Sequence, residues 1–261
     1  MKRRTALGVA VLMFAAAACA SSGGSGASGG EQHHEITVFA ASSLTAAFTQ
    51  IGKDFEAANP GVTVTFNFGP SDGLAGQIES EGVADVFASA SATWMDDLAS
   101  ATGVTDRTDF AKNKLVIITP PDDPAGIGSI QDLAGPGVKL VLAAKGVPVG
   151  DYARQVLENA GITKAANGNV VSNEQDDASV VAKIASGEAD AGIVYASDVT
   201  EAVAPTVRAI AIPDDVNVIA TYPIAVVDGS ANTDLASAFV RYVSGSAGQV
   251  TLRSFGFLPP A

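Results

Sequence analysis

Residues 69–73 read Gly-Pro-Ser-Asp-Gly, placing Ser71 in a G-x-S-x-G pattern, the arrangement that exposes a serine nucleophile on a sharp strand-to-helix turn. A β-like run, VTVTFNF, precedes the pattern and a helix-like run, LAGQIES, follows it. Such a serine needs a base to take its proton, usually a histidine that comes later in the chain. The two histidines, His33 and His34, both precede Ser71. Lysines from Lys53 to Lys183 keep a Ser–Lys pair formally open, but no S-x-x-K follows Ser71 and no spacing singles one lysine out. A hydrolase built on Ser71 is therefore the weakest reading. The same turn has a second use, because a helix N-terminus offers unpaired N–H groups and the positive end of the helix dipole to an oxyanion. Simple capping, worth about 1 kcal/mol, explains a serine at one such turn equally well.

Other strand-to-helix turns have similar chemistry. In VFAASSLTAAF, Ser43 stands immediately before Leu44; in GVPVGDYARQVL, Gly146, Pro148 and Gly150 open a helix near Asp151; in SNEQDDASVVAKI, a helix opens at Asp176–Ala178. Polar or Gly-rich turns are ordinary in α/β proteins, so their number decides little and their identity decides more.

The elements that must carry these turns alternate along the chain. EITVFA, VTVTFNF, ADVFAS, KLVIITP, VKLVLAA, AGIVYAS, RAIAI and IATYPIAVV read as strands. Leu44, Phe48, Ile51 and Phe55 fall at helical spacing, Leu74 and Ile78 mark a short helix, and helical patterns recur at 151–160, 178–186, 233–244 and 246–255. This alternation predicts an α/β fold with largely parallel sheets. No Pro/Gly-rich linker separates sequential halves, so the pattern points to an interrupted domain, with the chain crossing near Ala111–Lys114 and returning near Tyr222–Pro223 to leave a cleft between two lobes.

Lys2-Arg3-Arg4, the apolar run Ala6–Ala18 and the lone Cys19 form a secretory signal too short to cross a bilayer. Small residues before a single cysteine resemble a lipoprotein processing site, in which Cys19 becomes the lipidated N-terminus, although Ala16 stands where Leu is usual. Ordinary cleavage near Ala18 or Ala20 is the alternative. Ser21–Gly30 is a flexible linker by composition. Without Lys2, Arg3 and Arg4, the remaining 12 of 15 basic residues face 28 acidic ones, a formal charge of −16. That balance argues against nucleic acid as a partner, and any bound anion must be held by local donors. One cysteine excludes an intramolecular disulfide, and two histidines with one cysteine cannot complete a zinc site.

ITVFAASSLTAAF, GPSDGLAGQIESEGVADVFASAS, VPVGDYARQVL, GEADAGIVYASD, YPIAVV and GFLPP occur in an order that resembles periplasmic molybdate-binding proteins of ABC importers, from about Glu35 to Pro259. The resemblance implies the two-lobe periplasmic-binding-protein fold of type II, with crossover hinge strands. The corresponding segments would be 1–18 signal peptide, 19–34 lipidated Cys19 and linker, 35–112 plus 223–261 lobe 1, and 113–222 lobe 2. It implies a tetrahedral oxyanion, molybdate and tungstate, held by neutral donors and carried without chemistry. Carried over by motif, the ligand-binding residues are Ser43, Ser71, Val149, Asp177 and Tyr195, with no direct ligands to a metal ion and no cofactor. The implied partners are an ABC permease and, through Cys19, the outer face of the cell membrane, for an extracytoplasmic monomer. Receptors of the same fold for sulfate or phosphate remain the alternative. Pro70 removes one N–H from the Ser71 turn, and Asp72 and Asp177 put carboxylates beside a dianion, so both must turn away from it.

Overall fold

A computed structural model describes residues 34–260 of the chain. The signal, Cys19 and most of the linker lie outside the described residues. β1 (His34–Ala41) is exposed at its first residues and buried on both faces from Val38 to Ala41, as expected of a central parallel strand. A 3₁₀ turn (Ser42–Leu44) leads into α1 (Thr45–Ala58), whose buried stripe is Ala47, Phe48, Ile51 and Phe55. β2 (Val62–Gly69) runs into α2 (Ser71–Glu81), which ends on Gly82 in the left-handed conformation at φ 62°. That conformation closes helices without a Cβ penalty. β3 (Val86–Ala88), α3 (Ala92–Ala101) and the long β4 (Val104–Thr119) follow. Next come β5 (Leu140–Ala143), α4 (Pro148–Asn159), α5 (Thr163–Gly168), β6 (Val170–Glu174) and α6 (Asp177–Ala185). The remaining elements are β7 (Ala191–Tyr195), β8 (Arg208–Ala211), β9 (Ile219–Val227), α7 (Thr233–Ser244) and α8 (Ser246–Ser254).

The strand order is β2-β1-β3-β9-β4-β7-β5-β6, with β8 also on β4. Two parallel sets, β2-β1-β3 and β7-β5-β6, lie on either side of the β9-β4 pair. Every pairing made by β4 or β9 is antiparallel, so the prediction of largely parallel sheets holds only for the flanking sets. β4 is the element that joins them. From Val104 to Lys114 it runs along β9, and from Leu115 to Thr119 it pairs with β7 and β8. This is a two-lobe α/β fold with crossover strands.

The core positions the cleft from behind. Phe48 on α1 packs on Phe110 of β4 at 5.6 Å between ring centroids, Phe110 on Tyr222 of β9 at 6.3 Å, and Tyr222 on Tyr195 of β7 at 5.7 Å. These contacts are edge-on or tilted, the geometry aromatic rings prefer, and they form a continuous aromatic path to the point where the two parallel sets face each other. A smaller cluster of Phe39, Leu74, Ile78, Phe87, Met95 and Leu98 seats α2 and α3 on the first set.

Candidate functional site

Ser43, Ser71, Val149, Asp177 and Tyr195 line one small cavity together with Ala41, Ser42, Gly69, Pro70, Ala90, Val147 and Pro148. The first turns of α2, α4 and α6 and the 3₁₀ turn ahead of α1 all contribute residues to its wall. Each turn is set by local sequence. Pro70 holds the extended conformation before α2, at φ −66° and ψ 137°, and its carbonyl accepts the Leu74 N–H at 2.9 Å. The amides of Ser71, Asp72 and Gly73 are thus left without intrahelical partners. Pro148 occupies the first position of α4, where a missing N–H costs nothing, so Val149 supplies the first amide there. Gly150 lets this turn press against the end of β5, because a Cβ would meet the Ala143 and Ala144 carbonyls. Asp176 caps α6 by accepting from Ser179 N–H at 2.7 Å, leaving the Asp177 amide at the helix start.

The side chains are arranged as donors. Ser71 is 1% exposed, and its Oγ accepts the Ala90 N–H at 3.1 Å, which leaves the hydroxyl proton free to donate. Ser43 Oγ and Tyr222 OH lie 2.9 Å apart. Asn113 Nδ2 donates to Ser197 Oγ at 2.7 Å and sits 3.4 Å from Tyr222 OH. If Tyr222 donates to Ser43, the Ser43 proton is likewise free. Tyr195 is 1% exposed, and its OH has no hydrogen-bond partner among the described residues. Burial pushes the Tyr195 hydroxyl well above its ordinary value of 10.0, and neighbouring Tyr222 adds to this. It stays protonated, a donor with nothing in the protein to receive it. A buried polar group left so costs about 1–3 kcal/mol.

The carboxylates stand differently. Asp72 does not line the cavity, and its Oδ1 is buried without a partner. Asp177, 2% exposed, engages one carboxyl oxygen only: Oδ1 accepts from Ser42 Oγ and from the Ala178 N–H, while Oδ2 is buried without a partner among the described residues. Asp198 accepts the Tyr195 N–H at 2.9 Å. Burial first, and then the repulsion of Asp177, holds Asp198 well above the ordinary carboxylate range; burial raises Asp177 as well.

The cavity measures about 10 Å³, near the threshold for a single water. It suits one compact ion and excludes solutes the size of a sugar or peptide. Neither His nor Lys lines it. His34 opens β1 at the end opposite Ser42, about 26 Å away at roughly 3.3 Å per residue. A more open groove of about 560 Å³ shares Ser42, Ser43 and Asp177 with the cavity and continues along α1 and α6.

Residues 36–258 match the bacterial extracellular solute-binding proteins. The chain belongs to that family. The molybdate-binding protein ModA of Mycobacterium tuberculosis is 41% identical to this solute-binding protein over 226 residues, covering 86% of this chain and 85% of that one. The periplasmic molybdate-binding protein of Azotobacter vinelandii shares the fold, with a TM-score of 0.75 at 20% identity over 87% of this chain and 100% of that one. The sulfate-binding protein SubI from M. tuberculosis also reaches 0.75, at 18% identity over 87% of each chain. Equal scores for proteins named for different oxyanions mean that the fold alone does not set the ion.

Several contacts of this solute-binding protein are not read from local pattern. Trp94 on α3 donates its indole N–H to the Gly146 carbonyl at 2.8 Å, and Ser42 bonds Asp177. Each spans the cleft. Tyr222, which braces Ser43, lies in the segment YPIAVV that helped carry the family resemblance, and Asp198 ends the segment GEADAGIVYASD. The resemblance marked both stretches but assigned neither residue.

Proposed function

We propose that this protein captures molybdate, and tungstate with it, outside the cytoplasmic membrane and delivers it unchanged to an ABC permease. The observation that carries the reading is the buried, unpartnered Tyr195 hydroxyl in the same cavity as Ser43, Ser71, Val149 and Asp177. A tetrahedral oxyanion there would accept from Tyr195, from both serine hydroxyls and from the amides at the helix starts. The identity to the M. tuberculosis relative supports molybdate as the ion.

The donor set favours a fully deprotonated anion. Phosphate near neutral pH keeps a proton that needs an acceptor; Asp177 Oδ1 is already engaged by Ser42 and the Ala178 N–H, and Asp177 Oδ2, buried without a partner among the described residues, is the one acceptor the carboxyl could still offer, so phosphate stays in the test. Sulfate, a dianion like molybdate, is the stronger competitor, and the likeness to a sulfate-binding protein keeps it in the test. The size of the enclosed space would set the preference between the two dianions. We also place the lobe boundary at 112/113 and 222/223, supported by the switch of β4 from β9 to β7 and β8 at Lys114–Leu115. Cys19 would anchor the monomer to the outer face of the membrane. No reaction is assigned to Ser71, whose cavity is lined by neither a histidine nor a lysine.

Thermal unfolding with molybdate, tungstate, sulfate and phosphate tests the reading. A bound ion at about 1,000 times its Kd stabilises by about 4 kcal/mol. Molybdate and tungstate are expected to raise the midpoint. Stabilisation by sulfate or phosphate alone would reassign the receptor.

A further inference from the structure

Asn113 on β4 is a fully buried amide that the donor set just described does not use. It sits where β4 leaves β9 for β7 and β8. Its Oδ1 accepts the Lys114 N–H at 3.0 Å. Its Nδ2 faces two hydroxyls, Ser197 Oγ at 2.7 Å and Tyr222 OH at 3.4 Å. The backbone N–H of Lys114 cannot rotate, and turning the amide over would set an NH₂ group against it. The orientation of Asn113 is therefore fixed, with a donor-only nitrogen towards Tyr222. Tyr222 is fully buried too, and burial holds its hydroxyl well above the ordinary value of 10.0, so it keeps its proton. That proton has one recorded acceptor, Ser43 Oγ at 2.9 Å. Were Ser43 to donate instead, the Tyr222 proton would be buried with no acceptor among the described residues, a costly state. The order that satisfies each group runs from Asn113 to Tyr222 to Ser43, and it leaves the Ser43 proton for the cavity that Ser43 lines.

We propose that Asn113 is a positioning residue for oxyanion binding: through Tyr222 it holds Ser43 as a donor towards the ion and denies it the role of acceptor. Asn113 itself does not line the cavity. The relay joins the turn after β7, where Ser197 lies, through both crossover strands to the 3₁₀ turn ahead of α1. Specificity follows from its direction. A Ser43 that can only donate matches a fully deprotonated oxyanion and offers nothing to the proton of hydrogenphosphate. The inference rests on the oxyanion reading above.

Asn113→Asp is the test variant, because an ionised carboxylate there accepts from Tyr222, turns the relay round and draws the Ser43 proton away from the ion. Calorimetry measures molybdate affinity in wild type, Asn113→Asp, Tyr222→Phe and the double variant. In the Tyr222→Phe background Ser43 has no phenol to serve and keeps its proton for the ion. Asn113→Asp should therefore weaken binding at least about tenfold more with Tyr222 present than with Tyr222→Phe, the equivalent of one hydrogen bond to a charged group. A new charge acting by repulsion, or a distorted crossover, would weaken binding by the same factor in both backgrounds, and that result would overturn the inference. Neutron diffraction from the empty wild-type protein exchanged into heavy water reads the order directly and needs no variant. The Tyr222 deuteron is expected on the line to Ser43 Oγ. A Ser43 deuteron directed at Tyr222 would overturn the inference and leave the oxyanion reading standing. Wild type that binds none of molybdate, tungstate, sulfate and phosphate would overturn both. Thermal unfolding checks that each empty variant is folded, and if Asn113→Asp is not, the neutron result decides.

Discussion

Replacing Tyr195 by Phe removes a hydroxyl that has no partner in the empty protein. The empty variant should be as stable as wild type or more so, by about 1 kcal/mol, because a buried unsatisfied group is lost. Its affinity for the ion should fall about 10- to 150-fold, the equivalent of the roughly 1.5–3 kcal/mol of a hydrogen bond to a charged group. Opposite effects on stability and affinity, read by thermal unfolding and calorimetry, would separate binding from packing. Ser71→Ala differs, since Ala90 N–H loses its acceptor and both quantities should drop. The helix entrances that carry Ser43, Ser71, Val149 and Asp177 were legible because turn chemistry is local: a serine, a proline or an acid just before a helical stripe marks a free helix end, while the choice of these residues as ligand contacts came from the family resemblance. Their partners were not, since Ser43–Tyr222 and Ser42–Asp177 join residues 179 and 135 positions apart. The protonation of the phenols is also a residue-scale matter. Tyr195 and Tyr222 are both raised by burial above 10.0, so the stability they contribute is present below that pH and lost as pH climbs towards their folded values. Alkaline unfolding beginning above about pH 10, delayed in Tyr195→Phe, is the expected result.

The helix starts must be held to a few tenths of an ångström for their amides to meet one ion. Gly150→Ala would drive a Cβ into the Ala143 and Ala144 carbonyls and push α4 off β5. A stability loss of about 1–3 kcal/mol with weakened ion binding is expected in thermal and calorimetric measurements. Arg154 braces the same junction by donating to the Ala143 carbonyl at 2.8 Å and the Gly150 carbonyl at 2.7 Å. Most elements here could be read in advance, because α1, α2, α4, α6 and α7 carry apolar stripes at helical spacing and the buried strands are short apolar runs. α3, α5, β6 and the first half of β4 escaped. β6 alternates between half-buried and exposed along VVSNE and lies at the end of the sheet. Residues 104–109 of β4 are mostly exposed and polar and include Asp106 at φ 53° and a register shift, so no period of two marks them as a strand.

At the scale of the molecule, the contacts that span the cleft decide how long the ion stays. Trp94→Phe removes the bond to the Gly146 carbonyl, a loss of about 0.5–1.5 kcal/mol. Stopped-flow measurement should show release of the ion about 2- to 12-fold faster, with association little changed. The two-lobe outline was foreseeable from the crossing near Ala111–Lys114 and the return near Tyr222–Pro223. The antiparallel pairing of β4 with β9 was not, because strand direction is fixed by topology and leaves no trace in a single run. The acidic surface leaves the ion dependent on local donors, and no bulk attraction substitutes for them. The most direct measurement of the central claim is calorimetric titration of the mature chain with molybdate, alongside the Ser43→Ala/Ser71→Ala double variant. One ion bound per chain, with affinity lost in the double variant, is the predicted result. No molybdate binding by the mature chain, or binding that survives unchanged without both serines, would contradict the account.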